Sequence, residues 1–191
     1  PEITQVPQLR GRTVAVDALS SGLTWGISEF LKRGGLPPGA YTLLPVGGVP
    51  QRVKAIEEGR AQAGSLGAPF DLALRARGFH PLALPPGTPP VRFEGLVGAA
   101  RREWLDANGA RVEGFIRGFG AGMDWLYGRE NQAEAVRILR KWLPDTSEAD
   151  AIKSYQDSYG SGREVFRRDL SIDAEAVRTT MSVRAEQTRP G

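Results

Sequence analysis

Three segments of the chain share one pattern of apolar and polar positions. In each, a short run of β-branched, leucine or small apolar residues ends in a loop of small residues, and a helix-like pattern follows. The three runs cover residues 13–16, 43–46 and 63–66. Strands that alternate with helices at this spacing favour a parallel sheet. We therefore predict an α/β fold with a parallel-rich sheet.

The loops after the three runs are expected to lie together, because the carboxyl ends of parallel strands meet at one edge of a sheet. Apolar residues recur every three or four positions after each loop, which is typical of amphipathic helices. Gly34 and Gly35 end the first helix, and Pro69 suits the first turn of the third. The predicted strands cover residues 13–16, 41–46 and 62–66, and the predicted helices cover residues 23–33, 51–58 and 69–77.

The second half of the chain has mainly helical patterns. Proline-rich residues 78–90 predict an extended connector, and residues 95–100 have the pattern of one further strand. An apolar stripe at helical period predicts a helix over residues 111–127. Asn131 and Glu134 have the spacing of a capping box, for a helix that stops before Pro144. Two more helices are predicted over residues 147–159 and 173–185, and core positions are expected for Trp25, Trp104, Trp125 and Trp142.

These elements suggest two parts. Residues 1–100 form the predicted α/β ligand-binding unit, including the strand at 95–100, and residues 101–191 form a C-terminal helical segment. The first residue is Pro1 rather than Met, in a polar stretch typical of a connection between elements. We therefore expect that an N-terminal portion is missing.

Composition removes several classes of function. The 191 residues include 25 Lys and Arg against 22 Asp and Glu, a net charge of only +3, and the arginines are scattered. We therefore expect no nucleic-acid partner. With no Cys and one His, a disulfide and a protein-built zinc or copper site are not expected, and we predict no cofactor. No apolar run reaches the length of a membrane span or a signal peptide.

The three loops supply the candidate ligand-binding residues. A loop rich in Ser and Gly leaves backbone N–H groups bare at a helix N-terminus, where the helix dipole favours an anion. Arg52, one turn into the second helix, could pair with an anionic group of the ligand, and a solvated helix arginine is the alternative. For the two serines the alternative is plain helix capping. The predicted ligand-binding set is Ser20, Ser21, Gly22, Gly47, Gly48, Arg52, Gly67 and Ala68.

Catalysis by these serines is not expected. No G-x-S-x-G elbow surrounds Ser20 or Ser21, and the single histidine, His80, lies in the proline-rich connector. The Gly47-Gly48 loop also lacks the lysine and the spacing of a phosphate-binding P-loop. We therefore predict a binding protein with no catalytic residues, and not an enzyme.

The order of these motifs resembles the second lobe of type II periplasmic solute-binding proteins, in the branch that handles sulfonates, nitrate, taurine and thiamine precursors. Residues 9–17 read Leu-Arg-Gly-Arg-Thr-Val-Ala-Val-Asp, and Ser21-Gly22 follows, which is similar to the opening signature of that lobe. Residues 31–36, 46–64 and 66–69 continue the likeness, and the helices from Glu103 onward are similar to its C-terminal part.

The resemblance implies a type II binding-protein lobe of an ABC importer, located in the periplasm or otherwise outside the cytoplasm. In that family two lobes close on a small ligand and deliver it to a membrane permease. This chain has no counterpart of the first lobe. Because some apolar helix surface would then lack its cover, a dimer or a domain exchange is a further expectation.

Two other functions stay open at this point. One is an enzyme on the same fold that acts on a pyrimidine or an aromatic acid, which would need a titratable cluster in the crevice. The other is a ligand-sensing regulatory domain, which would need a signalling or DNA-binding segment. The ligand is equally open, since N–H groups and hydroxyls suit a sulfonate, nitrate, a carboxylate or a pyrimidine edge.

Overall fold

The computed structural model describes residues 2–89, 91–95, 97–160 and 166–187. The chain divides into two compact units, of which the first combines Pro1–Gly95 with Asp173–Gly191 and the second is Leu96–Ile172. The strands are β1 (Thr13–Val16), β2 (Thr42–Pro45) and β3 (Ala63–Gly64). The helices are α1 (Gly22–Arg33), α2 (Val49–Glu57), α3 (Phe70–Arg75), α4 (Arg102–Tyr127), α5 (Gln132–Trp142), α6 (Glu148–Tyr155) and α7 (Ala174–Gln187).

A parallel three-stranded sheet organises the first unit. The strand order is β2-β1-β3, and Val14 of the central strand is in register with Leu43 and Ala63. Helices α1 and α2 connect the strands in turn. The α/β fold with a parallel sheet, interleaved helices and further C-terminal helices is therefore confirmed.

The two faces of β1 carry separate parts of the core. Val14 packs in one cluster with Leu31 of α1, and Ala15 packs in another with Ile56 of α2 and Leu74 of α3. Successive residues of a strand point to opposite faces. Helix α1 therefore covers one face of the sheet, and α2 with α3 covers the other.

A close approach at the end of α1 fixes the entry to β1. Gly34 caps this helix, and a Cβ atom at that position would lie 2.6 Å from Cγ1 of the buried Val6. Val6 begins a 3-10 turn, Val6–Leu9, that packs on the same core cluster. Any side chain at position 34 would therefore collide with Val6 of this turn.

The predicted strand at residues 95–100 is wrong. Gly95 and the described stretch 97–100 form no strand, and Leu96 lies outside the described residues. Two glycines and two alanines offer little side-chain packing, and apolar sequence alone cannot replace a pairing partner. The proline-rich connector before it has no helix or strand over its described residues 78–89, and its Ala83 forms a bridge with Gln5; Pro90 lies outside the described residues.

Helix α7 packs with the sheet unit, although the sequence grouped it with the other C-terminal helices. The Arg184 guanidinium lies 5.4 Å from the ring centre of Trp25 in α1, and Lys32 pairs with Glu186 at 3.3 Å. Arg92 pairs with Asp173, just before α7, at 2.6 Å. These contacts join the two ends of the first unit.

The second unit is helical. Helix α4 is kinked at Asn108, whose φ and ψ are −130° and 23°, and α6 runs into a π-helical turn, Gln156–Gly160. Its core joins Val136 of α5 to Ala151 and Tyr155 of α6. The Tyr155 hydroxyl lies 2.8 Å from the carbonyl oxygens of both Leu126 and Gly128. Burial, and then the charge of Glu130, raise the pKa of this tyrosine.

The expected core positions of the tryptophans are largely wrong, and the apolar stripe on α4 is mostly exposed. Phe115 is 69% exposed and Phe119 is 54% exposed, whereas Met123 is buried. Trp142 is 76% exposed. A helical period predicts which residues share a face, but it does not supply a surface for that face to pack on. Trp104 and Trp125 are exposed as well, and Trp25 is half-buried.

The predicted capping box before α5 is also wrong. Asn131 ends a 3-10 turn, Arg129–Asn131, with φ −90° and ψ −1°, and its side-chain amide donates to the Trp125 carbonyl at 2.8 Å. Glu134 instead pairs with Arg137 one turn further along α5. The helical backbone of Asn131 points its side chain away from the first turn of α5, so the cap cannot form.

Among the described residues, no helix combines the length and the apolar character needed to cross a membrane.

Candidate functional site

The loops that follow β1, β2 and β3 lie on one edge of the sheet, which we call the loop edge. It comprises residues 17–22, 46–48 and 65–68. The Val46 N–H donates to the Val16 carbonyl at 2.9 Å, and the Gly47 N–H donates to the Asp17 carbonyl at 3.1 Å. The first two loops are therefore joined by backbone hydrogen bonds that continue the sheet.

The first loop is organised by a helix cap. Ser21 is the N-cap residue of α1, and its hydroxyl oxygen accepts from the Thr24 N–H at 3.1 Å. The same hydroxyl donates to Asp17 Oδ1 at 2.6 Å. The Thr24 hydroxyl, which is buried, lies 3.0 Å from that carboxylate oxygen and 2.8 Å from the Ala18 carbonyl. The Ser21 hydroxyl thus serves the capping role that the sequence left as its alternative.

The environment of Asp17 favours its ionised form. Burial alone would raise the pKa of this carboxyl, but hydrogen bonds from Ser21, the Ala18 backbone and Thr24 outweigh burial and lower it below its usual value. The group is ionised at neutral pH because the charged form is the better acceptor. Its charge therefore lies at the N-terminal end of α1, where the helix dipole stabilises it.

The other two predicted residues of this loop have different positions. Ser20 is exposed, and Gly22 is the first residue of α1. Ser20 therefore presents its hydroxyl at the surface of the loop edge, next to a serine whose hydroxyl is already engaged.

The second loop turns sharply into α2. Gly47 has a φ of +94°, a conformation that other residues adopt only with strain. Gly48 is the N-cap residue of α2 and is exposed, with no side chain to close the first turn. The first turn of an α-helix leaves backbone N–H groups without partners inside the helix. This loop therefore offers backbone donors at the loop edge.

Arg52 links the second loop to the third. Its side chain is only 4% exposed, so it is not the solvated helix arginine that the sequence allowed as an alternative. The Nε–H donates to the Ser65 carbonyl at 3.0 Å, and Nη1 donates to the Gly47 carbonyl at 2.9 Å. In the part of the chain that the structure describes, no carboxylate pairs with this guanidinium.

The third loop completes the edge. Gly67 and Ala68 are exposed, the following Pro69 is buried, and the Ala68–Pro69 peptide bond is cis. A Cβ atom at Gly67 would meet no atom within 4 Å. The third loop therefore presents its small residues at the surface rather than in a packed core.

The loop edge presents mainly hydrogen-bond donors. His80 pairs with Glu2 at 2.5 Å in the first unit and is not hydrogen-bonded to either loop serine. Within the described ranges, no group of three or more acidic, histidine or cysteine side chains could hold a metal ion. Beside the Asp17 carboxylate, whose Oδ1 is bonded to the Ser21 and Thr24 hydroxyls, the loop edge offers backbone N–H groups and one exposed hydroxyl, and the Arg52 guanidinium lies next to them. These groups are donors for an electron-rich ligand.

Sequence reasoning missed the roles of Thr24 and of the Ser65 carbonyl. Thr24 occupies the third helical position after the Ser21 cap, which is where a cap accepts its backbone hydrogen bond, so the spacing was a usable signal. The Ser65 carbonyl carries no signal in the sequence, because any residue supplies a carbonyl.

No protein-family model matches this chain, and no curated protein matches it at a significant level.

Proposed function

We propose that this chain is the substrate-binding component of an ABC-type importer, and that its loop edge holds a small anionic or heteroaromatic solute. The observation that carries the proposal is the buried Arg52, whose guanidinium joins two loops of the edge and has no carboxylate partner among the described residues.

The energetics of a buried cation support a ligand at this position. A guanidinium carries five N–H donors, and two of its nitrogens here donate to carbonyl oxygens. Carbonyls satisfy hydrogen bonds, but they do not neutralise the charge, and removing an uncompensated charge from water costs several kcal/mol. A carboxylate, sulfonate or nitrate at the loop edge would supply the missing counter-charge and two or three oxygen acceptors.

The assignment to an importer rests on the order of the sequence motifs around these loops. In such a protein the loop edge would form half of a site between two lobes, and the loaded protein would meet a membrane permease outside the cytoplasm. The loop edge would bind and release its ligand unchanged, with no catalysis and no nucleic-acid partner.

A thermal-shift screen tests the binding claim. The purified chain is melted with taurine, nitrate, benzoate and an aminopyrimidine, each added over a wide concentration range. A ligand at about a hundred times its dissociation constant stabilises by about 2.7 kcal/mol, a shift of several degrees. The chain with Lys54→Met, in which an exposed cation of the same helix is removed, should shift equally. Arg52→Lys should reduce the shift for the anion.

A second variant separates binding from folding. Ser20 is exposed, so Ser20→Phe should leave the melting temperature of the free chain within about a degree while blocking the loop edge. We expect the shift from the best ligand to disappear. Equal shifts in the original chain, Ser20→Phe and Arg52→Lys would place the ligand elsewhere and overturn the proposal.

We also propose that the chain associates with a second copy of itself. Phe115 and Phe119 are exposed apolar side chains of α4, and a second copy packed on them would remove them from water. Sedimentation velocity at increasing concentration should show a shift toward dimer, and Phe115→Ser with Phe119→Ser should abolish it. A monomer at all concentrations would contradict this expectation.

A further inference from the structure

A cavity lies in the first unit, and most of the residues that line it are outside the loop edge. It is a groove of about 970 Å³ that extends from α1 past β3 to α3 and the proline-rich connector. Leu23, Ile27 and Phe30 of α1 line one part of it, and Leu74, Phe79 and Leu82 line another. We call it the apolar groove.

The apolar groove forms because β3 is a very short strand at the edge of the sheet. Ala63 and Gly64 are its only two residues, and β3 pairs with β1 on one side. Both residues line the groove. Since α1 and α3 cover opposite faces of the sheet, the layers that they form remain apart beyond this short strand, and the space between them is open.

One polar atom of the groove has no partner. Asp71 lines it, and the Oδ1 atom of this carboxylate is buried and accepts no hydrogen bond from the described residues. The other oxygen, Oδ2, pairs with Arg75 at 3.1 Å. Leaving a buried acceptor unsatisfied costs about 1–3 kcal/mol, and more for a charged group. A ligand that brings an N–H or O–H donor to Oδ1 would remove this penalty.

The charges that line the groove select among donors. Two carboxylates, Glu2 and Asp71, face one arginine, Arg75, and His80 is paired with Glu2. This set attracts a cation more than an anion, whereas the chain as a whole is slightly basic. A preference for cations in this groove would therefore be local and opposite to the overall charge.

We propose that the apolar groove binds an elongated apolar molecule with a single donor group, best an ammonium, placed against the Asp71 carboxylate. Its volume lies at the upper end of the about 300–1,000 Å³ that small-molecule sites occupy, and its walls are mostly apolar with few polar groups, as in such sites. Ser65 and Leu66 line this groove and also belong to the loop edge, but the proposal uses neither Arg52 nor the proposed transport function.

Displacement of a neutral dye tests the proposal. N-phenyl-1-naphthylamine is bound to the chain carrying Phe115→Ser and Phe119→Ser, which removes the exposed aromatic rings of α4 as an alternative dye site. Dodecylamine, 1-dodecanol and dodecanoate, all below their micelle concentrations, then compete with the dye. We expect dodecylamine to displace it at a concentration about tenfold lower than dodecanoate, with the alcohol between them.

Variants connect the preference to Asp71. Asp71→Asn keeps the size of the side chain and removes its charge, so the amine and the carboxylate should then compete within about threefold of each other. Leu23→Ser with Phe79→Ser, at two partly exposed wall positions, should weaken dye binding at least about fivefold with an unchanged circular dichroism spectrum. Arg52→Lys should change neither result, which distinguishes this site from the loop edge.

Three results would overturn the proposal. The dye could fail to bind once the α4 rings are removed. Dodecylamine could compete no better than dodecanoate in the chain with Asp71 intact. The preference for the amine could also persist in Asp71→Asn. If Asp71→Asn does not fold, the third contradicting result is instead that Leu23→Ser with Phe79→Ser leaves dye binding unchanged.

Discussion

The loop edge of the first unit and helix α4 of the second unit show opposite relations between sequence and burial. At the loop edge, Arg52 is an ordinary polar residue of a short helix, yet it is nearly inaccessible and joins two loops. On α4, Phe115 and Phe119 have the stronger apolar signal, yet they lie largely in solvent and stack on each other at 6.1 Å between ring centres.

The difference follows from what each pattern specifies. A strand pattern that repeats with helices specifies its own partners, because neighbouring strands and the helices between them cover one another. A helical stripe specifies only a face. Within α4, burial therefore depends on which other elements reach that face, and this information lies outside the helix.

The largest expected effect compares two residues of α4. Met123→Ala should destabilise the second unit by about 2–4 kcal/mol because it removes a buried side chain. In the monomer, Phe119→Ala should change stability by no more than about 0.5 kcal/mol because more than half of the side chain is exposed there. Urea unfolding followed by tryptophan fluorescence, at protein concentrations where sedimentation shows a monomer, measures both losses, since Trp104, Trp125 and Trp142 lie in this unit. Equal losses would show that the Phe119 face is covered within a single chain.

The next effect tests whether Arg52 is part of the structure of the loop edge. Arg52→Met should destabilise the first unit by about 1–2 kcal/mol, because the loss of a charged donor to two partly buried carbonyls outweighs the removal of a desolvated charge. Hydrogen exchange of the amides in β1 and β3 measures this loss. Lys54→Met, at an exposed position two residues away, is the matched control and should cost less than about 0.5 kcal/mol. If the amides of β1 and β3 exchange at the same rate in both variants, the Arg52 side chain does not hold the two loops together in solution.

A smaller loss is expected from the helix cap. Ser21→Ala removes the acceptor of the Thr24 N–H and should cost about 1 kcal/mol. Ser21→Asp restores an acceptor but sets a second carboxylate beside Asp17, so it should recover only part of the loss. Thermal unfolding of the three proteins at pH 7 ranks them. If the Ser21→Ala protein is as stable as the original, the Ser21 cap does not contribute to the stability of the chain.

The smallest effect concerns pH. The pKa of Asp17 is lower in the folded chain than in the unfolded chain, where it is about 3.9, so its contribution to stability is complete above that value. The contribution is lost as the pH falls through the lower pKa of the folded state. The stability difference between the original chain and Asp17→Asn should therefore be constant from pH 7 to about 5 and shrink below 4. A difference that grows on acidification would reverse the sign of this argument.

Much of the first unit could be predicted from the sequence. The predicted helix at residues 23–33 differs from α1 by one residue, and the three strands and their parallel direction follow from the repeated pattern. The predicted third strand was longer than β3, because apolar residues beyond Gly64 pack in the core without pairing. Local pattern fixes the type of element better than its ends.

The remaining features depend on tertiary contacts. Helix α4 begins nine residues before the predicted helix at 111, and its two parts meet at a kink where Asn108 has non-helical φ and ψ. The burial of Arg52 and the unpartnered Oδ1 of Asp71 are equally invisible in the sequence, since each depends on a loop or a strand end brought there by the fold. Whether the predicted loop residues bind a ligand stays a prediction.

The most direct test of the central claim is a ¹H–¹⁵N correlation titration of the labelled chain with the anion that gives the largest thermal shift. The account predicts that the changes concentrate in the amides of Ser20 to Gly22, Gly47, Gly48, Gly67 and Ala68, and in the Arg52 Nε–H. Changes confined to α4 or to the apolar groove, or no saturable change at the loop edge, would contradict it.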